Sequence, residues 1–117
     1  CSYDCNINQD AIKDMKILQK LNATNNTKIN NVNHLDHTLI YLNCTNECGI
    51  NQDGINNLKV LRGLCANNNN KIKNVNHLAN TLIELNCGYR CGIDQEGMKN
   101  LKILQKLNAY DNNKIKN

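Results

Sequence analysis

Leucine returns along this chain with a nearly fixed step. Leu18, Leu39, Leu61, Leu82 and Leu104 follow one another at intervals of 21, 22, 21 and 22 residues, and each opens the same short pattern: LQKLNATNN, LIYLNCTNE, LRGLCANNN, LIELNCGYR and LQKLNAYDN. Around the second leucine of each copy, as in KLNA or YLNC, apolar and polar positions alternate with the period of two that marks a half-buried β-strand. The alternation assigns Leu21 and Ala23, or Leu42 and Cys44, to an inner face and Asn22 or Asn43 to an outer one. A second apolar column accompanies the first, because an isoleucine stands eleven residues after each leading leucine: Ile29, Ile50, Ile72, Ile93 and Ile115.

Between strands the spacing takes two forms that alternate. Ile29, Val32 and Leu35 are three apart, which predicts a 3₁₀-like or extended return. Ile55, Leu58 and Leu61, or Met98, Leu101 and Leu104, predict a short helical turn after QDG or QEG, where Asp53 and Glu96 read as residues of a turn or helix start. The alternation doubles the period to 43 residues: NNTKINNVNHLDHTLIYLNC (25–44) matches NNNKIKNVNHLANTLIELNC (68–87) at 15 of 20 positions. Repetition of this kind predicts units that each contact only their neighbours.

The pattern L-x-x-L-x-(A/C) with its trailing Ile, five times in register over essentially the whole chain, resembles the leucine-rich repeat family. In alternate copies, CGINQDGINNL (48–58) is similar to the C-x-x-I-T-D-x-G-L-x-x-L pattern of the cysteine-containing class. Here the Cys stands one residue nearer the Ile, and Asn51-Gln52 replaces Thr-Asp. The resemblance implies an α/β solenoid of about five and a half coils, with a parallel β-sheet on the concave side and short helices or 3₁₀ turns on the convex side. It also implies that Asn26, Asn69 and Asn112 point inward and donate to backbone carbonyls of neighbouring coils, near the corner that Cys5, Cys48 and Cys91 occupy in the others. One domain over residues 1–117 is expected; with no polar capping motif at either end, it reads as a fragment or as a stack whose ends meet other copies.

Composition restricts the core. With no Phe, Trp or Pro and only four Tyr, it must be built from Leu, Ile, Val, Ala, Met and Cys. Asn is the most abundant residue, which no feature of the fold demands; it reads as the codon bias of an AT-rich genome, such as those of some protists and large DNA viruses. A net charge of +4 with 21% charged residues lacks the concentrated stripe of a nucleic-acid binder. Lys28, Lys71, Lys73, Lys114 and Lys116 recur after alternate strands and read as a solvated edge, so nucleic acid is not an expected partner. No apolar run approaches the roughly 20 residues of a membrane span, and no leader is visible. The triplets beginning at Asn22, Asn25 and Asn43 are glycosylation acceptors in a secreted chain, but an Asn-rich sequence generates them readily. An intracellular or virion-associated setting is slightly favoured.

The cysteines admit several readings. Cys1, Cys44 and Cys87 stand at the last inward strand position, where Ala23, Ala66 and Ala109 stand in the other copies, and a small packed residue suits that turn. The alternative is local disulfides, Cys1 with Cys5, Cys44 with Cys48 and Cys87 with Cys91, which a four-residue turn could bring within bonding reach. No metal site is expected, because each copy offers at most two thiols and His34, His37 and His77 lie on the return side. Cys65 takes the outward position of Asn22, Asn43, Asn86 and Asn108, and is expected exposed on the concave face, as a reactive thiol or as a neutral replacement of Asn.

Neither a nucleophile-base set nor a phosphate-binding loop can be assembled, so neither catalysis nor a cofactor is expected. What remains is a surface: Lys20, Tyr41, Gly63, Glu84 and Lys106 form one outward row, Asn22, Asn43, Cys65, Asn86 and Asn108 a second, with Tyr110 where the last strand ends. A varied row beside a constant one is how leucine-rich repeat proteins present a protein-binding face. The expected function is therefore a scaffold that binds a protein partner there. The competing expectation is a structural protein that assembles with further copies of itself into a filament or shell.

Overall fold

A computed structural model describes residues 7–116. It contains one five-stranded, all-parallel sheet: β1 (Lys20–Asn22), β2 (Tyr41–Asn43), β3 (Gly63–Cys65), β4 (Glu84–Asn86) and β5 (Lys106–Asn108), in spatial order β1-β2-β3-β4-β5. Parallel neighbours need a crossover connection, and here each crossover is the return segment foreseen from the leucine interval. The register places Leu21, Leu42, Leu64, Leu85 and Leu107 side by side.

Equivalent positions therefore stack in columns through the core. Leu21, Leu42, Leu64 and Leu85 form the strand column; Ala23, Cys44, Ala66 and Cys87 follow it, and Ile29, Ile50, Ile72 and Ile93 lie behind. Leu39, Leu61 and Leu82 close the return side. The last strand is different: β5 is exposed along its length, and Leu107 is 45% exposed where its equivalents are covered by the next unit.

The returns follow the two spacings in part. Asn33–Leu35 and Asn76–Leu78 are 3₁₀ turns, as the three-residue spacing predicts. The other form is more varied than the sequence suggests: α1 (Gln9–Ile12) is an α-helical turn and Glu96–Met98 is 3₁₀, whereas residues 53–57 make turns only. The α-helical form of the first tracks one position. Ala11 stands where Gly54 and Gly97 stand in the later copies, and a Cβ at either glycine would strike the carbonyl of Asn30 or Lys73 in the preceding unit. Close packing requires glycine there, and glycine weakens the helix. Asn8, Asn51 and Asp94 cap these segments by accepting from the N–H of Ala11, Gly54 and Gly97, while Asp53 stands in its turn and Glu96 opens the 3₁₀ segment, as expected.

Side-chain amides join the units. Oε1 of Gln9 accepts from the N–H groups of Asn30 and Asn31 while its Nε2 donates to the Asn31 carbonyl. Gln52 repeats all three bonds with Lys73 and Asn74. Nδ2 of Asn69 donates to the carbonyls of Cys44 (2.9 Å) and Ile50 (3.1 Å), and Asn112 does the same to Cys87 and Ile93. Such bonds satisfy backbone carbonyls that burial would otherwise orphan.

Candidate functional site

The outward strand face is where the varied positions meet. Lys20, Tyr41, Gly63, Glu84 and Lys106 are consecutive register partners, and so are Asn22, Asn43, Cys65, Asn86 and Asn108. Over the first four strands they line an open hollow of about 400 Å³. Lys106 and Asn108 continue both rows on β5.

Tyr41 organises the hollow. Its ring lies over Gly63, filling the space that a side chain on β3 would take, and the Lys20 ammonium stands 5.5 Å from the ring centroid. That distance is within cation–π range. Glu84 follows on the far side of Gly63, so along the row the charge runs positive, aromatic, open, negative, positive.

The second row is fixed by local bonding. Oδ1 of Asn22, Asn43 and Asn108 each accepts from the N–H two residues on, at 3.1 Å, which ties the strand to its exit turn. These amides are committed to the backbone as acceptors. Cys65 lies in this row but is half-buried rather than fully exposed, with its Sγ 3.1 Å from Oγ1 of Thr45.

Four other described cysteines are buried free thiols. Cys44 Sγ donates to the Cys65 carbonyl, and Cys48 Sγ accepts from Ile50 N–H, both at 3.5 Å. The bond at Cys48 repeats the relation between Asn69 Oδ1 and Lys71 N–H, two residues on. Cys44 and Cys48, and likewise Cys87 and Cys91, stand as free thiols; Cys1 and Cys5 lie outside the described residues. Burial pushes all four thiols up, Cys87 to about 12.

Among the described residues, no group of three His, Cys, Asp or Glu side chains could hold a metal, and no helix is long and apolar enough to cross a membrane. Nε2 of His34 and of His77 is bonded to the carbonyl of Ile12 and Ile55, respectively, in the preceding unit. Two of the recurring lysines are also engaged: Nζ of Lys71 and of Lys114 donates to the carbonyls of Cys48 and Cys91.

Sequence reasoning reached the strand-exit edge only at Tyr110. Asn25, Asn46, Asn68, Tyr89 and Asp111 all have φ between 58° and 64°, one in each unit. Asn and Asp tolerate this left-handed conformation, and their recurrence there was the available signal. Tyr89 is the exception, and its ring packs edge-on against Tyr110 with centroids 5.6 Å apart. No protein-family model matches the chain, and no curated protein matches it in sequence.

Proposed function

We propose that the chain is a leucine-rich repeat scaffold, an α/β solenoid with its sheet on the concave side, that binds a protein partner through the outward strand face. The observation that carries this reading is the in-register row Lys20, Tyr41, Gly63, Glu84 and Lys106 beside the 400 Å³ hollow. An aromatic platform flanked by both signs of charge, on a frame of committed amides, has the composition of a binding hot spot with a polar rim. Its role is binding rather than catalysis. Peptides selected by display against the immobilised chain test the assignment. Tyr41→Ala combined with Lys106→Glu should weaken the selected binders at least tenfold, and equal binding by this variant would remove the face from consideration.

Self-assembly is the second reading, favoured by the exposed β5 edge with Leu107 and Ile103 at the surface. Head-to-tail stacking in the manner of the internal units meets two obstacles. It would set Lys20 beside Lys106, and it would place Ala11 where Gly54 and Gly97 are needed for close approach. Contact between two β5 edges avoids both. Light scattering of the wild type against Leu107→Lys distinguishes it: concentration-dependent growth abolished by the substitution supports edge contact, and a monomer at all concentrations eliminates it.

A further inference from the structure

The backbone of β5 carries a free edge whose donors and acceptors can be read from the strands before it. In those strands the residue just ahead turns its carbonyl to the next unit: Gln19, Ile40, Arg62 and Ile83 each accept from two consecutive N–H groups there. The residue just after the strand turns its N–H the same way, with Ala23, Cys44, Ala66 and Cys87 donating to the carbonyls of Asn43, Cys65, Asn86 and Asn108. Gln105 and Ala109 hold these two positions around β5, and among the described residues neither the Gln105 carbonyl nor the Ala109 N–H has a partner. Lys106 N–H and the Asn108 carbonyl are both spent on the β4 side, so the alternation of a parallel ladder turns the N–H and carbonyl of Leu107 to the free side. The Leu107 side chain is 45% exposed, and Leu104, Ala109 and Ile115 are half-buried in the same unit.

We propose, as a closed form of the self-assembly reading and resting on it, that two copies of this chain join antiparallel through β5 about a two-fold axis at Leu107. Residues that face each other as a hydrogen-bonded antiparallel pair exchange both of their bonds. With the axis at Leu107, the N–H and carbonyl of that residue meet those of the other copy, and each Ala109 N–H meets the other copy's Gln105 carbonyl. Neighbouring registers leave groups unmatched. An axis at Asn108 would call on the Ala109 carbonyl, which already accepts from Asn112 N–H, and an axis at Lys106 would call on Gln105 N–H, which already donates to Ile83. The chosen register also sets Lys106 opposite Asn108 of the other copy instead of opposite a second lysine, and Leu107 beside Leu107 on the inner face. A parallel meeting of the same two edges would reverse one copy's sheet, carrying its apolar column onto the other's outward rows. Because the pairing is isologous and consumes the edge, assembly stops at a dimer and makes no filament. Both outward strand faces then look the same way, which presents two Tyr41 hollows on one continuous sheet.

Sedimentation equilibrium from micromolar to millimolar chain concentration tests this pairing. A monomer–dimer equilibrium with no larger species is expected. Leu107→Lys, at a position already exposed in the single chain, should weaken the dimer at least tenfold by setting two ammonium groups directly opposite each other. Lys106→Glu separates the pairing from head-to-tail stacking: it should leave the dimer unchanged, because Lys106 faces Asn108, whereas relief of the contact between Lys20 and Lys106 would strengthen a stack. Leu107→Cys reports the register, since hydrogen-bonded antiparallel partners lie about 5.5 Å apart between Cα atoms, within disulfide reach. Mild oxidation with diamide should join position 107 of one copy to position 107 of the other, located by peptide mass so that Cys65 is told apart, and Lys106→Cys should not join to itself. A monomer at every concentration would overturn the pairing and the self-assembly reading together. Growth past the dimer, or oxidation that links Lys106→Cys and spares Leu107→Cys, would overturn the pairing alone.

Discussion

The ring of Tyr41 on β2 occupies the place of a side chain on Gly63 of β3: a Cβ there would strike Cδ1 and come within 2.6 Å of Cε1. The obstacle is a side chain that can rotate away, and alanine narrows the unfolded ensemble relative to glycine by about 0.4–1 kcal/mol. Gly63→Ala should therefore change folding stability by less than about 1 kcal/mol while lifting the ring from the hollow and weakening partner binding. Urea denaturation and a binding titration on the same variant separate the two effects; a large loss of stability would show that the ring cannot move.

Gly49 provides the opposite case. A Cβ there would lie 2.6 Å from the carbonyl oxygens of both Thr27 and Ile29, which are backbone atoms of the preceding unit. Neither can rotate aside, so Gly49→Ala should cost about 1–3 kcal/mol, the usual range for overpacking. The measurement is the urea midpoint compared with that of Gly63→Ala; equal midpoints would contradict the distinction between backbone and side-chain obstacles.

Asn69 acts through its donors rather than its volume. Its Nδ2 serves two buried carbonyls while Oδ1 accepts from Lys71 N–H at 3.0 Å. Each buried group left without a partner costs about 1–3 kcal/mol. Asn69→Ala should accordingly lose several kcal/mol, and Asn69→Asp should not recover it, since a carboxylate keeps the shape and turns acceptors toward the two carbonyls. Recovery by Asp in equilibrium unfolding at neutral pH would assign the site to packing instead.

Much of this was legible in the chain because one-dimensional repetition converts sequence columns directly into spatial columns. The positions of Leu21, Leu42, Leu64, Leu85 and Leu107, and the two outward rows, follow from alternation alone. The inward Asn69 and Asn112 were legible through resemblance. Contacts between units were harder to read. Gln9, Gln52 and Gln95 recur without variation, but an amide aimed at the backbone is less conspicuous than the neighbouring charges of Asp53 and Glu96. The glycines at 49, 54, 92 and 97 likewise answer to carbonyls some twenty residues away, and no local pattern announces that distance. Tyr89 is set apart by its backbone angle, which its neighbours in sequence do not announce.

The buried thiols make stability depend on alkaline pH. An unfolded cysteine titrates near 9.0, whereas burial raises Cys87 to about 12 in the folded chain. Between these values the folded state keeps a proton that the unfolded state releases, so stability is fully present below about pH 9 and falls as pH rises toward 12. The slope is about 1.4 kcal/mol per pH unit for each such thiol, and Cys44, Cys48 and Cys91 shift in the same direction. Lysine and tyrosine titrate in the same range, so the comparison must isolate one thiol. Cys87→Ala does so, because Ala23 and Ala66 already occupy the equivalent position in other units. Its unfolding free energy should decline less steeply than that of wild type between pH 9 and 10.5. Parallel slopes would mean that Cys87 titrates alike in both states. Brief alkylation of the native protein at pH 8, mapped by peptide mass, should modify Cys65 among the five described cysteines and spare the buried four.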